Sequence, residues 1–174
     1  MIARQLSVLL LATSALATPL HRRDAGTVLS ELHGIGTDIN ALSTTLDSFD
    51  GTLTGAVTVQ YAEIALENGL NQAITDVVAS NTYATGDSAS VTTSLVGLEP
   101  EIVGILGKLV DQKPGFTSAG VVSIVLADLH SLQNLTNKLS TEAQVKVTTA
   151  DKATIASEIA EIDVAYFNAI ASFS

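Results

Sequence analysis

Between residues 28 and 49 the apolar side chains fall at Val28, Leu32, Ile35, Ile39, Leu42, Leu46 and Phe49, in alternating steps of four and three. Such stepping puts them all on one stripe of an α-helix, with polar residues around the rest of the barrel. Gly34 and Gly36 interrupt that helix and weaken it by about 1 kcal/mol each relative to alanine. The stretch from Asp47 to Gly51 supplies its end and a turn. This rhythm constrains the chain more than any motif does, because it returns along most of the sequence and strand signals are weak throughout.

A second helix is predicted over residues 53–80, with Val57, Tyr61, Ile64, Leu70, Ile74 and Val77 inward. Residues 81–86 read as a loop, and Asp87 or Ser88 is placed to cap a third helix by accepting from its free N–H groups. That helix carries Val91, Leu95, Leu98, Ile102, Ile105 and Leu109. Pro100 predicts a kink or break within it, since proline removes a backbone donor and crowds the preceding turn. Lys113, Pro114 and Gly115 spell a turn. A fourth helix from about residue 117 carries Val122, Val125, Leu129, Leu132, Leu135 or Thr136, and Leu139. Residues 140–149 are ambiguous. Thr148 and Asp151 stand at capping-box spacing before a last helix with Ile155, Ile159, Ile162, Tyr166, Ala169 and Phe173 inward. The expected fold is all-α, an antiparallel bundle of about five amphipathic helices in one domain over residues 24–174.

The chain places all three of its arginines, Arg4, Arg22 and Arg23, in its first 23 residues. Arg4 precedes an apolar run over residues 6–16, and Ala15, Leu16 and Ala17 form a small-x-small cleavage signature, the pattern of a secretory signal over residues 1–17. That run is too short for a membrane span, which needs ~20 apolar residues, and no transmembrane segment is expected. Residues 18–23 then form a short prosegment ending in Arg22–Arg23. The pair is either a dibasic processing site or part of a solvated tail. If it is cut, the working chain begins at Asp24, is 151 residues long, and sets five lysines against eighteen acids for a net charge of −13. So acidic a chain is unsuited to nucleic acid, where binding depends on neutralising phosphates, and to anionic membrane surfaces.

Hydrophobic residues make up 47% of the chain but aromatics only 4%, with no Trp and no Cys. No disulfide can hold an exported fold together, so stability must come from packing. A core of small aliphatics with few rings packs with voids, and dry apolar voids are where apolar ligands bind.

Catalytic constellations are lacking. There is no Cys nucleophile and no G-x-S-x-G elbow. His33 and His130 occupy polar helix positions without metal-ligand spacing, so no metal or other cofactor is expected. The acids of Asp47–Gly51 sit at the wrong offsets for a calcium loop. Glu99 and Glu101 read as exposed charge flanking Pro100. One N-glycosylation sequon starts at Asn134, in a helical stretch where Leu135 is a core candidate. No Ser/Thr-rich stalk or hydrophobic C-terminal tail encodes a lipid anchor.

The stretch with most functional promise spans residues 91–126. Ile102, Ile105 and Leu109 form one stripe and Val103, Leu106 and Val110 a second, with a similar run at residues 120–126. A helix apolar all round is either central in a core or showing apolar surface to something. The first alternative makes this stretch the central hairpin of the bundle. The second makes it an apolar groove or cavity lined by Leu98, Ile102, Ile105, Leu106, Leu109, Val122, Val125 and Leu126, opened by Gly97, Gly104 and Gly107. Lys108 and Lys113 then stand where they can meet a fatty carboxylate, or more simply where cations favour a helix C-terminus.

These features together resemble the fungal hydrophobic surface binding protein A family, which shares a domain with fungal cell-wall galactomannoproteins. The resemblance rests on the opening from Arg22 to Gly51, the spacing of Asp38, Leu42 and Phe49, and the ending from Ile162 to Ser174. It implies a secreted, non-catalytic helical protein, extracellular or wall-associated, that adsorbs to hydrophobic solids and assists secreted polyester-degrading enzymes such as cutinases. Wall-associated relatives imply the alternative, a fatty acid held inside the bundle. The family supplies no catalytic residue to carry over.

Overall fold

The computed structural model describes residues 24–174; the expected signal, its expected cleavage point at Ala17 and the Arg22–Arg23 pair lie outside them. Six helices make up the described chain: α1 (Ala25–Asp47), α2 (Leu53–Ala79), α3 (Thr85–Asp111), α4 (Lys113–Ala119), α5 (Val122–Lys146) and α6 (Thr149–Phe173). Five are long, as the periodicity requires, and the sixth, α4, occupies the segment expected to be a simple turn. Pro114 is tolerated there because it lies in the first turn, where its missing N–H has no helical partner anyway.

Each start is fixed locally. Asp24 caps α1 by accepting from Thr27 N at 3.0 Å, and those bonds hold its carboxyl below the usual range. Thr52 caps α2 by accepting from Gly55 N at 3.0 Å. α3 has no side-chain cap: its cap position is Ala84, so neither Asp87 nor Ser88 serves. Ser88 lies inside the helix, buried, and is used elsewhere. α3 also runs unbroken through Pro100. The ring of Pro100 is exposed, so the carbonyl it leaves without a donor lies towards water.

The long helices close into a ring in the order α1, α2, α5, α6, α3 and back to α1. Two features correct the simple antiparallel picture. Lys108 Nζ at the end of α3 reaches Asp47 at the end of α1 (2.6 Å), and Lys113 reaches the Ser172 carbonyl at the end of α6. Lys146 at the end of α5 reaches the carbonyls of Val78 and Ser80 at the end of α2 (2.9 and 2.6 Å). Thus α1, α3 and α6 end together, α2 and α5 end at the opposite pole, and only α1/α2 and α5/α6 are antiparallel neighbours. Nor do α3 and α5 form a central hairpin. They are not packed neighbours, because α6 lies between them and α4 carries the chain across the end of the ring.

α4 closes that end. Phe116 is fully buried, stacks on Phe49 with ring centroids 4.6 Å apart, and lies 6.1 Å from Phe173. The plug requires two glycines. A Cβ on Gly115 would come within 2.8 Å of the Phe49 ring, and Gly51, at φ 76°, faces the Gly115 backbone.

The α3 stripe is buried as its spacing predicts, apart from half-buried Leu95. By length and composition α3 is also apolar enough to cross a membrane, but here that stripe packs into the ring. The inward face of α2 differs from expectation. Leu70, Ile74 and Val77 are buried, but Val57, Tyr61 and Ile64 are exposed, and the face is completed by Ala56, Val59, Glu63 and Leu66. The true stripe leaves out Val57, Tyr61 and Ile64 and takes in Ala56, Val59, Leu66 and an acid.

Candidate functional site

Three apolar voids lie end to end along the ring's interior. The first, ≈ 140 Å³, lies between α2 and α5 against the Phe116 plug and is walled by Leu42, Ala56, Val59, Leu109, Leu129 and Leu132. The central one, ≈ 20 Å³, is enclosed by residues of all five long helices, among them Ile39, Leu66, Ile105, Leu106 and Tyr166. The third, ≈ 40 Å³, lies towards the other pole between Leu95, Leu98, Leu139, Ile155 and Ile162. They are consecutive: Leu42, Leu109 and Leu132 line both the first and the central void. Ile35, Leu70, Ile102 and Thr136 line both the central and the third. A single layer of side chains separates each from the next. An enclosed apolar cavity of about 150 Å³ takes a benzene-sized ligand, so the first void has room for a hydrocarbon group of that size.

This void reaches the surface. Among its lining residues Leu53, Val57 and Ile124 are 61%, 47% and 49% exposed, which makes an apolar mouth. Opposite the plug the lining turns polar at Gln60, Glu63 and Asp128. Glu63 is only 5% exposed. Its Oε2 accepts from Gln60 Nε2 at 2.9 Å, while its Oε1 is buried without a hydrogen-bond partner. Burial, and then the neighbouring carboxylates of Asp128 and Glu67, push the Glu63 carboxyl up to about 8. Burial also raises Asp128. Deeper in, Tyr166 OH lies 3.3 Å from Thr136 Oγ1, which itself donates to the Leu132 carbonyl at 2.8 Å. Burial pushes the Tyr166 phenol up to about 12, so it stays neutral.

The residues singled out from sequence divide accordingly. Leu109 and Val125 line the first void; Ile102, Ile105, Leu106 and Leu109 the central one; Leu98 and Ile102 the third. Val122 and Leu126 are half-buried on α5 and line none of the three. Gly104 and Gly107 are exposed with open space beside them, so they shape no void, and Gly97 borders a separate polar cleft between α1 and α3. Lys108 and Lys113 are also absent from the three linings. Lys108 is held by Asp47 and Ser43, and Lys113 sits by the Ser172 carbonyl with its ammonium 5.9 Å from the Phe173 ring. Asn134 is exposed in the middle of α5, while the Thr136 of its sequon is buried. Glu99 and Glu101 are half-buried rather than freely exposed, and Glu101 Oε2 is without a hydrogen bond. Sequence reasoning missed Gln60, Glu63 and Asp128. Glu63 was detectable in principle, since it continues the α2 spacing of Ala56, Val59, Leu66 and Leu70.

No curated protein matches the sequence significantly. Among solved structures, that of AFMP4P in complex with palmitic acid matches with 46% identity and a TM-score of 0.86, over 87% of this chain and 100% of that one. Ligand binding domains 1 and 2 of the Penicillium marneffei MP1 protein, each complexed with arachidonic acids, share the fold. Their TM-score is 0.80 in both cases, with 15% identity over 87% of this chain and 99% of domain 1, and 16% over 88% and 98% for domain 2. The family model of hydrophobic surface binding protein A matches residues 25–145, and the chain belongs to that family.

Proposed function

We propose that the protein binds long-chain fatty acids inside its helical ring, and that binding rather than catalysis is its activity. The observation that carries this reading is the line of three apolar voids, each parted from the next by one layer of side chains, from the mouth at Leu53, Val57 and Ile124 to the far pole at Ile155. A hydrocarbon chain is the solute that such a succession suits, because burying it gains ~25 cal/mol per Å² and asks for no polar partner along its length. The palmitic acid bound by AFMP4P, at 46% identity, supports the same assignment. Native mass spectrometry of the purified protein, followed by displacement of a fluorescent acyl probe with palmitic acid, tests it. Copurified fatty acid and stoichiometric displacement are expected. A protein that carries no lipid and ignores the probe overturns the proposal.

The exposed mouth favours a second, compatible reading, adsorption to hydrophobic solids. On such a solid the protein is placed to bring a polyester-degrading hydrolase such as a cutinase to its substrate. Depletion from solution by polyester particles that persists in high salt is expected, with the hydrolase pelleting alongside. A protein that stays in solution removes this reading and leaves the first intact. Both readings place the working molecule outside the cell or in the wall, with Asp24 as its first residue. N-terminal sequencing of protein recovered from culture medium checks this placement.

A further inference from the structure

The polar corner of the first void carries an inference about which lipids the site accepts, and it rests on the fatty-acid reading above. A pocket built to hold an anionic head group would be expected to offer a cation there. This one offers none: the lining contains Gln60, Glu63 and Asp128 and no basic residue. The groups acting on Glu63 are Glu67 and Gln60 from its own helix and Asp128 from α5, and Glu63 in turn acts on the Tyr166 phenol from α6. Glu67 accepts from Ser131 with one oxygen and shares a hydrogen bond with Glu63 when Glu63 carries its proton, so a ligand carboxylate competes with Glu67 for that proton. Asp128 is half-buried. Only Glu63 is nine-tenths buried, lines the void and keeps an oxygen that accepts no hydrogen bond. A buried polar atom left unpaired costs about 1–3 kcal/mol, so a hydrogen-bonding group brought to Oε1 relieves that cost.

We propose that Glu63, flanked by Gln60 and Asp128, receives the lipid head group by donating to a ligand carboxylate, and that once its proton is lost in mild alkali the site favours lipids whose heads carry no negative charge. A fatty acid and Glu63 then share one proton between two carboxyl groups, and the pair cannot be held once that proton is gone. A fatty alcohol has no such requirement. Its hydroxyl accepts from the protonated Glu63 and donates to the ionised one. The raised carboxyl of Glu63 means the proton is in place at neutral pH and lost in mild alkali.

Dodecanoate, dodecanol and dodecylamine, kept below their aggregation concentrations, separate these cases by displacement of an acyl probe between pH 6.5 and pH 9.5. Over that window dodecanoate is an anion and dodecylamine a cation, so a change in affinity belongs to the protein. Dodecanoate is expected to weaken by about tenfold or more towards pH 9.5, because only the protonated fraction of the protein is competent for it. Dodecanol is expected to hold constant and dodecylamine to strengthen. Glu63→Gln, which keeps a donor and loses the charge, should bind dodecanoate equally at both pH values. Asp128→Asn, at a half-buried position, removes one of the charges that raise Glu63, so the loss of dodecanoate binding should set in at lower pH while dodecanol is unchanged, and it serves if Glu63→Gln folds poorly. The same slope for dodecanol as for dodecanoate, or a wild-type slope retained in Glu63→Gln, overturns the proposal while leaving lipid binding in place. Failure of all three amphiphiles to displace the probe at any pH removes lipid binding itself, and this inference with it.

Discussion

Two seams of the ring bury polar side chains, and they do so in opposite ways. Between α3 and α6, Ser88 accepts from Thr148 N at 2.8 Å and donates to Asp151, while Asp151 also accepts from Thr148 Oγ1 at 2.8 Å. Thr148 in turn accepts from Asp151 N at 3.4 Å. The capping box expected at the start of α6 is thus completed through a serine from a neighbouring helix. Ser88 is fully buried with both its donor and acceptor roles used. Between α2 and α5, Glu63 is buried beside two further acids with one oxygen unsatisfied and a void next to it. The first seam is the arrangement that stabilises a fold. The second costs stability and keeps a place open, as binding sites do. Polar burial alone does not tell structure from function, and an unsatisfied acid beside a void is the stronger sign of function.

The comparison breaks most visibly under pH. In the ligand-free protein Glu63 titrates at about 8 against 4.5 when unfolded, so the folded state holds more protons between those values. Stability therefore falls as pH rises from about 4.5 to about 8 and levels off above, with a loss of roughly 2–4 kcal/mol from this group. Glu63→Leu should remove the slope and raise the unfolding free energy by that amount at pH 9, with little effect at pH 4. Urea midpoints at pH 4, 7 and 9 measure it. A variant less stable than wild type at pH 9 would show that Glu63 is a satisfied structural acid.

The α3–α6 seam should respond with the opposite sign. Ser88→Ala leaves Thr148 N without its partner and is expected to cost about 1–3 kcal/mol in urea at pH 7. Asp151 is held below the usual carboxyl range by its bonds from Ser88 and then Thr148. Its contribution is present above the ordinary carboxyl range and lost as pH falls through it, the reverse of Glu63. Losing the Ser88 bond should shrink that acid-side loss, which urea titrations between pH 2.5 and 6 detect.

Much of this was legible in the residue pattern, and the failures have physical causes. The stripes of α1, α3 and α6 are buried nearly as the four-three spacing dictates, because each is a run of mostly large apolar residues facing one core. On α2 the pattern pointed the wrong way at Val57, Tyr61 and Ile64. Periodicity follows size and hydrophobicity, and this helix turns its small residues and an acid inward to leave a void. The void and its mouth are the proposed site, so the property that would make the site is the one that misleads a hydrophobicity stripe. Ring order was not legible either. Nothing in the spacing of α3 and α5 says that α6 will separate them, since each presents the same kind of stripe to any partner. Lys108 and Lys113 looked suited to a carboxylate from their position beside an apolar run. Their reach leads instead to Asp47 and to the Ser172 carbonyl, groups distant in sequence and close only once α1, α3 and α6 end together.

The smallest expected effect on stability falls at the mouth, and there the comparison is sharpest, because apolar side chains are kept where water meets them. Leu53 and Ile124 flank the first void from α2 and α5, each about half or more exposed, and neither belongs to the buried core. Replacing both with serine removes little buried surface, so the urea midpoint should move by no more than about 0.5 kcal/mol equivalent. If the mouth only spares the protein some packing, ligand exchange and adsorption will be unchanged as well. If it admits lipid and contacts hydrophobic solids, palmitic acid uptake should slow and retention on polyester particles in high salt should fall, while the fold is untouched. An apolar rim that contributes nothing to stability is kept for what it touches, and the double variant measures that directly.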